Sequence, residues 1–373
     1  MRKRKMKNLG TAGYKLLTPG PLTTTETVKE VMLFDHCTWD DDYKEITQKI
    51  RRDLLKLAQV EETEYTTVLM QGSGSFGVES VLGSVVPKDG CVLLLSNGAY
   101  GERAAKMCSY YEIPCIHVKQ DYNKTPDANG AEELLKTHPE ITHIMMIHSE
   151  TTSGILNDIE SIGKLAEAYG KVFIVDAMSS FAGVEIPVKD WYIDFLISSA
   201  NKCIQGVPGF SFIIANIVLL MESKGRARSL CLDLYDQWAG MEKDGKWRYT
   251  SPTHVVLAFE QAMKELEQEG GIKARHARYQ KNMDTLVENF ENLGFRLYVD
   301  KAWQGPIIAT FLYPEGKHFD FQEMYAYIKE RGYAIYPGKL TDADTFRIGV
   351  IGEIYEEDVL RLTEIMKSYM EQA

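Results

Sequence analysis

One lysine stands where an apolar run meets a break in the chain. Residues 195–209 begin apolar, become small and polar around Lys202, and then contain Gly206, Pro208 and Gly209. This pattern predicts a buried strand that runs into a tight loop, with Lys202 at the end of the strand. Partial burial disfavours the ammonium form of a lysine, and the resulting amine can form a Schiff base with a carbonyl cofactor. The alternative is that Lys202 only solvates a loop.

Two other stretches place complementary groups at strand ends. Residues 172–175 are β-branched or aromatic, which predicts a buried strand, and Asp176 follows at its carboxyl end. Open α/β sheets bind ligands at that edge, although an Asp there can also cap the next turn. Residues 67–80 predict a strand, a glycine-rich turn at 72–75 and a helix start. Backbone N–H groups at such a helix start, together with the helix dipole, can bind a phosphate.

These three features together match the requirements of pyridoxal 5'-phosphate (PLP), which needs a phosphate anchor, a carboxylate for the pyridinium nitrogen and a lysine. The glycines at 72, 74 and 77 also satisfy the dinucleotide pattern G-x-G-x-x-G. That pattern requires an acid at the end of the next strand to hold a ribose. The next predicted strand, 91–95, is followed by Ser96, Asn97 and Gly98. The sequence therefore favours PLP over a nicotinamide dinucleotide.

Three further side chains could complete such a site. Tyr100 lies between glycines after the strand at 91–95 and could stack on a flat ring, or it could pack at a helix start. Thr151, in a hydroxyl-rich strand end, could hydrogen-bond a ring hydroxyl or serve the turn. Arg347 lies inside the apolar strand 345–349. Its planar fork could bind a carboxylate or a phosphonate, or it could form an internal salt bridge.

Three other charged or nucleophilic side chains are predicted not to act in this site. Arg103 and Arg331 lie in helical patterns that predict side chains facing solvent, so Arg347 is the better candidate for a substrate anion. Cys203 follows Lys202 directly, and we interpret it as a small loop residue rather than a nucleophile.

The composition is typical of an ordinary globular enzyme. The chain has 373 residues, of which 45% are hydrophobic and 25% charged. Its net charge of -11 argues against nucleic-acid binding and against anchoring to an anionic membrane surface. Its six cysteines form no C-x-x-C pair, which argues against a zinc ribbon and fits a reducing cytosol. Residues 1–8 lack the apolar run of a secretory signal, and no stretch approaches the length of a membrane span. We therefore expect a cytoplasmic protein.

Alternating strands and helices occupy the first half of the chain. Between the predicted strands lie helical patterns at 77–85, 101–111, 131–136 and 161–168. This alternation predicts an α/β fold with a mostly parallel, seven-stranded sheet covered by helices on both faces. The predicted strands are 67–70, 91–95, 115–118, 143–147, 172–175, 195–198 and 210–214.

A second, smaller domain is predicted at the carboxyl end. Long helical patterns at 253–269 and 272–292 precede short strands at 295–299, 307–311 and 345–349, with helices at 319–331 and 356–372. The expected organisation is an extended segment at 1–20, a large domain at 21–269 and a smaller α+β domain at 270–373.

The motif-bearing stretches resemble the class V aminotransferases of PLP fold type I. The resemblance covers nearly the whole chain, and its motifs are Thr-Pro-Gly-Pro at 18–21, Gly-Ser-Gly-Ser at 72–75, Asn-Gly-Ala-Tyr-Gly at 97–101, Asp-Ala-Met-Ser-Ser from Asp176, Ser-Ala-Asn-Lys-Cys-Ile-Gln-Gly-Val-Pro-Gly around Lys202, and Arg-Ile-Gly from Arg347.

The resemblance implies a role for each matching position. It implies a Schiff base on Lys202, a bond from Asp176 to the pyridinium nitrogen, stacking by Tyr100, a contact of Thr151 with the ring hydroxyl, and binding of the substrate anion by Arg347. It also implies phosphate contacts from one loop and from a partner subunit, and therefore a homodimer with shared active sites. Those phosphate-binding positions are Ser73, Gly74, Ser75 and, across the interface, Thr250.

The substrates are also implied by resemblance. Residues 39–43 and the loop around Lys202 are most similar to members that move the amino group of 2-aminoethylphosphonate to pyruvate, giving phosphonoacetaldehyde and L-alanine. Cysteine desulfurases stack a histidine and carry a catalytic cysteine in the second half, whereas this chain has Tyr100 and no cysteine after Cys231. Alanine–glyoxylate or serine–pyruvate transaminases are the alternative. A PLP-binding protein without activity is a further one, against which the presence of both Lys202 and Asp176 counts.

Overall fold

Twelve α-helices are present in the computed structural model, which describes residues 13–314, 319–338, 340 and 343–372. The first twelve residues of the predicted extended segment lie outside this range. No helix of the described residues combines the length and the apolar character needed to cross a bilayer. The helices are α1 (Glu26–Glu30), α2 (Asp41–Leu57), α3 (Gly74–Val85), α4 (Ala99–Tyr110), α5 (Ala128–Thr137), α6 (Ile159–Ala168), α7 (Ile217–Glu222), α8 (Leu234–Asp244), α9 (Thr253–Glu269), α10 (Gly271–Asn292), α11 (Phe321–Glu330) and α12 (Glu356–Met370).

The strands of the described residues form one large sheet, one smaller sheet and two short pairs. They are β1 (Lys15–Leu16), β2 (Tyr65–Gln71), β3 (Cys91–Ser96), β4 (Cys115–Lys119), β5 (Ile141–Ile147), β6 (Ser149–Glu150), β7 (Ile155–Leu156), β8 (Val172–Asp176), β9 (Phe195–Ser199), β10 (Phe210–Asn216), β11 (Arg296–Leu297), β12 (Ile308–Leu312), β13 (Tyr333–Ala334), β14 (Tyr336–Pro337) and β15 (Thr345–Gly349).

The large sheet has seven strands in the order β2-β10-β9-β8-β5-β3-β4. Its members are the seven strands that the sequence predicts, each extended by a residue or more. Strands β9, β8, β5, β3 and β4 pair in parallel, whereas β10 is antiparallel to both of its neighbours. The predicted α/β class and the mostly parallel sheet are therefore confirmed.

Both faces of this sheet are buried, because successive side chains along each strand point to opposite faces. In β3, Val92 and Leu94 belong to one hydrophobic cluster, and Leu93 and Leu95 belong to another. Helices α3, α4 and α8 contribute to the first cluster, and α2, α5, α6 and α9 contribute to the second. The sheet is thus the middle layer of three.

The smaller sheet is antiparallel, in the order β11-β12-β15-β14, and has its own hydrophobic cluster with α10, α11 and α12. Rings of Phe290, Phe311 and Phe346 lie at its centre. Leu17 of the amino-terminal segment also packs in this cluster, just after β1 pairs with β13. The domain boundaries at 20/21 and 269/270 stay a prediction.

The sequence patterns did not predict every element correctly. The strand predicted at 295–299 is shorter in the structure and covers only Arg296–Leu297. The other strands of two residues are too short to show the alternation of apolar and polar side chains from which a strand is predicted. Helix α8 was also missed. Its buried positions are Leu234, Gln237 and Met241, so its buried face is narrow and includes a polar residue. Its ends are set by Asp233, which caps the first turn, and by Gly245 in the left-handed region.

Candidate active site

A cavity of about 200 Å³ opens at the carboxyl ends of the central strands. Strands β2, β3, β8 and β9 all end at this edge, which is where an open α/β sheet binds ligands. The predicted residues that line the cavity are Ser73, Gly74, Ser75, Tyr100, Asp176 and Lys202. Groups predicted from separate parts of the sequence therefore meet in one place.

Asp176 is the last residue of β8 and is buried. Its Oδ1 accepts a hydrogen bond from Met178 N at 2.9 Å. Burial raises the pKa of its carboxyl group to about 6, and the nearby carboxylate of Glu150 acts in the same direction. The Met178 N–H and the positive charges of Lys202 and Arg103 oppose this rise. Because burial destabilises the ionised carboxylate, Asp176 is suited to pair with a cationic N–H group in the cavity.

Lys202 is half-buried in the loop that follows β9. Its Nζ donates a hydrogen bond to the carbonyl oxygen of Pro19 at 2.7 Å. The loop turns back on itself through a bond from Gln205 N to Lys202 O at 2.7 Å. Gly206 permits this turn, because a Cβ there would lie 2.7 Å from the oxygen of Ala200.

The amino-terminal segment reaches this lysine, which the sequence did not reveal. Gly20 has a φ of +108°, and a Cβ on it would lie 2.7 Å from Lys202 Cδ and 3.0 Å from Lys202 Nζ. Two residues before Pro19, Leu17 O accepts a hydrogen bond from Gly349 N at 3.0 Å. The segment therefore lies between Lys202 and the end of β15, the strand that contains Arg347.

The start of α3 provides the predicted phosphate-binding turn. Ser73 precedes the helix with an extended backbone and makes no capping bond through its side chain. The first N–H groups of a helix have no partner within it, so this twelve-residue helix presents donors to the cavity. A Cβ on Gly74 would overlap Met178 Sδ. Glycine thus lets the helix start approach the segment that follows Asp176.

Tyr100 and Arg103 lie one turn apart on α4, so their side chains share a face. The guanidinium group of Arg103 is 5.1 Å from the centre of the Tyr100 ring. Its Nη1 also donates to Ser75 Oγ at 3.0 Å. The Arg103 side chain is exposed, as predicted, but it also lines the cavity beside the phosphate-binding turn. Its spacing from Tyr100 was the signal that could have identified it.

Thr151 and Arg347 contact each other behind the cavity, and both are buried. Arg347 donates from Nη1 to Thr151 O at 2.8 Å and from Nε to Pro337 O at 3.0 Å. Burial lowers the pKa of this guanidinium. Among the described residues, no carboxylate forms an ion pair with it, so the internal salt bridge considered above is not found. Its hydrogen bonds to two carbonyl oxygens orient the group.

Two positions discussed from the sequence, Thr250 and Cys203, do not line the cavity. Thr250 is exposed in the segment before α9, and its predicted contact with a partner's phosphate stays a prediction. Cys203 is buried, and its Sγ donates to Ser179 O at 3.2 Å. Burial raises the pKa of this thiol to about 12, so it is a neutral packing group.

Comparison with known proteins assigns the chain to a family. The model of the family described as "Aminotransferase class-V" matches residues 36–361. The chain belongs to the class V aminotransferases. This family implies PLP as the cofactor.

Two relatives of this aminotransferase are similar over nearly their whole length. A protein of Lysinibacillus sphaericus named 2-aminoethylphosphonate–pyruvate transaminase is 55% identical over 359 residues, which are 96% of this chain and 98% of that protein. A protein of Bacillus cytotoxicus with the same name is 56% identical over 352 residues, 94% of this chain and 96% of that protein. Among solved structures, alanine–glyoxylate aminotransferase from Nostoc sp. has a TM-score of 0.89 at 23% identity and covers 98% of this chain and 97% of its own. That structure shares the fold of this aminotransferase.

The contact of Gly20 with Lys202 gives a testable prediction. Gly20→Ala should weaken PLP binding about tenfold, because a side chain at this φ is strained by about 1–3 kcal/mol and displaces the lysine. Titration of the cofactor-free protein with PLP, followed by fluorescence, would measure this. Gly13→Ala is the matched control, since a Cβ at Gly13 meets nothing within 4 Å. Equal affinity in both variants would show that the amino-terminal segment does not act on Lys202.

Proposed function

We propose that this aminotransferase moves the amino group of 2-aminoethylphosphonate to pyruvate and forms phosphonoacetaldehyde and L-alanine in two half-reactions of ping-pong type. The observation that carries the proposal is one cavity that joins a buried carboxylate, a lysine and a helix start. The names and coverage of the two bacterial relatives support the choice of substrates. The cysteines among the described residues are all free, which fits a cytoplasmic location.

The groups around the cavity fit PLP. Asp176 can pair with the pyridinium nitrogen, and the start of α3 can bind the phosphate through Ser73, Gly74 and Ser75. In the part of the chain that the structure describes, the buried hydroxyls of Ser149 and Thr151 have no hydrogen-bond partner. Buried polar groups rarely remain unpaired, so a ligand with a polar ring substituent would satisfy them.

The roles of the protein side chains follow from these positions. When bound, PLP supplies an electron-poor ring that stabilises negative charge on the carbon from which a proton is removed. Asp176 keeps the ring nitrogen protonated, and Tyr100 holds the ring by stacking. The Nζ atom of Lys202 accepts the proton of the donor carbon as a general base and returns it as a general acid.

Arg347 is proposed to bind the anionic end of both substrates, the phosphonate of the donor and the carboxylate of pyruvate. A planar guanidinium can bind either group with two parallel hydrogen bonds. Its bonds to the carbonyls of Thr151 and Pro337 fix its orientation and use only part of its five donors.

We also propose a homodimer in which Thr250 reaches the phosphate of the partner's cofactor. Near Thr250, large apolar side chains are exposed: Leu33 is 73%, Phe34 65% and Trp39 71% accessible. This segment is joined to the start of α9, three residues after Thr250, by a contact between Asp35 and His254 at 3.2 Å. An exposed apolar patch of this kind is typical of a subunit interface. The proposed units within each subunit are residues 21–269 and 270–373.

A donor panel tests the proposed reaction. PLP-loaded protein is given pyruvate with 2-aminoethylphosphonate, serine or phosphoserine, and separately glyoxylate with alanine, and the products are quantified. We expect 2-aminoethylphosphonate to give the highest kcat/KM. A preference for serine, or for alanine with glyoxylate as acceptor, would instead support the alternative transaminases.

Lys202→Ala should bind PLP without the long-wavelength absorbance of lysine-bound cofactor and should lose turnover. The reason is that, among the described residues that line the cavity, only Lys202 has an amine side chain. Lys136→Ala, at an exposed position of α5, is the control and should keep both properties. Near wild-type turnover in Lys202→Ala would remove this lysine from the reaction.

Asp176→Asn should retain PLP but slow the chemical step by several orders of magnitude, because a neutral amide cannot keep the ring nitrogen protonated. Single-turnover kinetics would measure this. Asp194→Asn is the control, since burial also raises the pKa of Asp194 to about 6 but the residue does not line the cavity. An unchanged chemical step in Asp176→Asn would refute the role.

The same substitution has a predicted effect on stability without cofactor. The folded-state pKa of Asp176 is raised to about 6. As the pH rises from about 4 to about 6, the unfolded chain therefore ionises first and the native state loses about 2–3 kcal/mol. Asp176→Asn should be more stable than the native sequence by up to this amount at about pH 8 and equally stable below about pH 4. Denaturant unfolding at several pH values would measure the difference.

Arg347→Lys keeps the charge but loses the fork, so it should weaken both substrates, and Arg347→Ala should weaken them more. A charged hydrogen bond contributes about 1.5–3 kcal/mol, which corresponds to a loss of roughly tenfold to a hundredfold for each substrate. PLP affinity should be unchanged, and Arg331→Ala, which is exposed, is the control. An effect on pyruvate alone would require a separate phosphonate site.

A further inference from the structure

A fully buried carboxylate, Glu150, lies beside the cavity without lining it. It belongs to β6, where it pairs with Ile155 of β7 in a tight hairpin. The turn of this hairpin is closed by a bond from Gly154 N to Glu150 O at 2.9 Å. Thr151 lies in that turn, so the conformation of the hairpin sets the position of Thr151.

The carboxylate accepts hydrogen bonds from two separate elements. Its Oε1 accepts from Thr152 N at 3.0 Å and from Thr152 Oγ1 at 2.6 Å, within the turn. Its Oε2 accepts from Tyr100 N at 3.3 Å, in the first turn of α4. Thr152 Oγ1 also accepts from Ala99 N at 3.1 Å. The hairpin therefore supplies the side-chain caps that α4 lacks, because the residue before this helix is Gly98.

Gly98 makes room for this arrangement. Its φ is 177°, an extended conformation that any residue can adopt, so the backbone does not require glycine. A Cβ at this position would overlap Cδ and Cγ of Glu150. The glycine is needed because the carboxylate lies directly against the start of α4.

The charge of Glu150 fits this position. Both of its oxygens act as acceptors, which is the pattern of an ionised carboxylate, and negative charge is favourable at a helix amino terminus. Burial raises the pKa of Glu150 above its ordinary value, and the bonds from Thr152 and from the first residues of α4 oppose only part of this rise. The proximity of Glu150 also helps Arg347 to remain protonated.

We propose that Glu150 is a positioning residue that joins the turn of Thr151 to the start of α4 and thereby sets the distance between Thr151 and Tyr100. These two residues are the proposed contacts to the ring hydroxyl and the ring face, so the inference rests on the proposed cofactor site. The effect extends to the substrate arginine, because Arg347 donates to the carbonyl oxygen of Thr151.

Glu150→Gln tests the proposal. The side chain keeps its size, but its NH2 group cannot accept from Tyr100 N or from Thr152. The loss of one or two charged hydrogen bonds should weaken PLP binding about tenfold or more and raise KM for both substrates. Glu160→Gln is the control, because Glu160 lies outside the cavity on α6 and pairs with Lys164. The melting temperature of each variant is also measured without cofactor.

A second pair of variants covers the case in which Glu150→Gln does not fold. Thr152→Val removes the hydroxyl that bonds both Glu150 and Ala99, whereas Thr152→Ser keeps it. We expect Thr152→Val to weaken PLP binding as Glu150→Gln does, and Thr152→Ser to bind normally. The double variant Glu150→Gln/Thr152→Val should be little worse than either single variant, because both break the same connection.

The outcomes separate this inference from the proposed function. If Glu150→Gln only lowers the melting temperature and its folded fraction binds PLP with unchanged affinity, Glu150 is merely structural and the inference is wrong. Equal affinities of Thr152→Val and Thr152→Ser would overturn it as well. A native protein that does not bind PLP at all would refute the proposed function itself.

Discussion

The burial of a carboxylate next to a lysine determines how this site is built. Asp176 ends β8, and its neighbour across the parallel pair is Ile197 of β9, five residues before Lys202. The parallel register thus brings the acid and the amine to one edge of the sheet. Burial opposes ionisation of Asp176. The extensive three-layer core around it stabilises the native state and offsets this unfavourable free energy. A cationic ring nitrogen in the cavity would relieve it, which is why the site is expected to gain stability from its cofactor.

Other elements complete this edge from a distance. The amino-terminal segment links Lys202 to β15, because Pro19 O accepts from Lys202 and Leu17 O accepts from Gly349. Arg347 of the same strand donates a hydrogen bond to the hairpin at Thr151 O. The smaller sheet thereby carries Arg347, the residue proposed to bind the substrate anion, close to the edge of the large sheet. A change in the position of β15 would move Arg347 and the segment over Lys202 together. The residues proposed for cofactor binding and for anion binding are therefore linked through β15.

The sequence predicted the large sheet well, because its strands are buried on both faces and appear as continuous apolar runs. It also identified Asp176 and Lys202 as polar residues at the ends of such runs, and Arg347 as a charge within one. The sequence did not reveal the contacts that depend on tertiary neighbours. The carbonyl of Pro19 lies 183 residues from Lys202 along the chain, and the Tyr100 N–H lies 50 residues from Glu150. No local pattern encodes either contact, and only the unexplained glycines at 20 and 98 indicate that another group approaches closely.

Lys202, in the loop after β9 and beside the end of β8, is the proposed attachment point of PLP. The most direct measurement is reduction of the PLP-loaded native protein with borohydride, followed by proteolysis and mass spectrometry of the labelled peptide. We predict a phosphopyridoxyl group on Lys202. A label on a different lysine, or no label after reduction of protein that has been saturated with PLP, would contradict it.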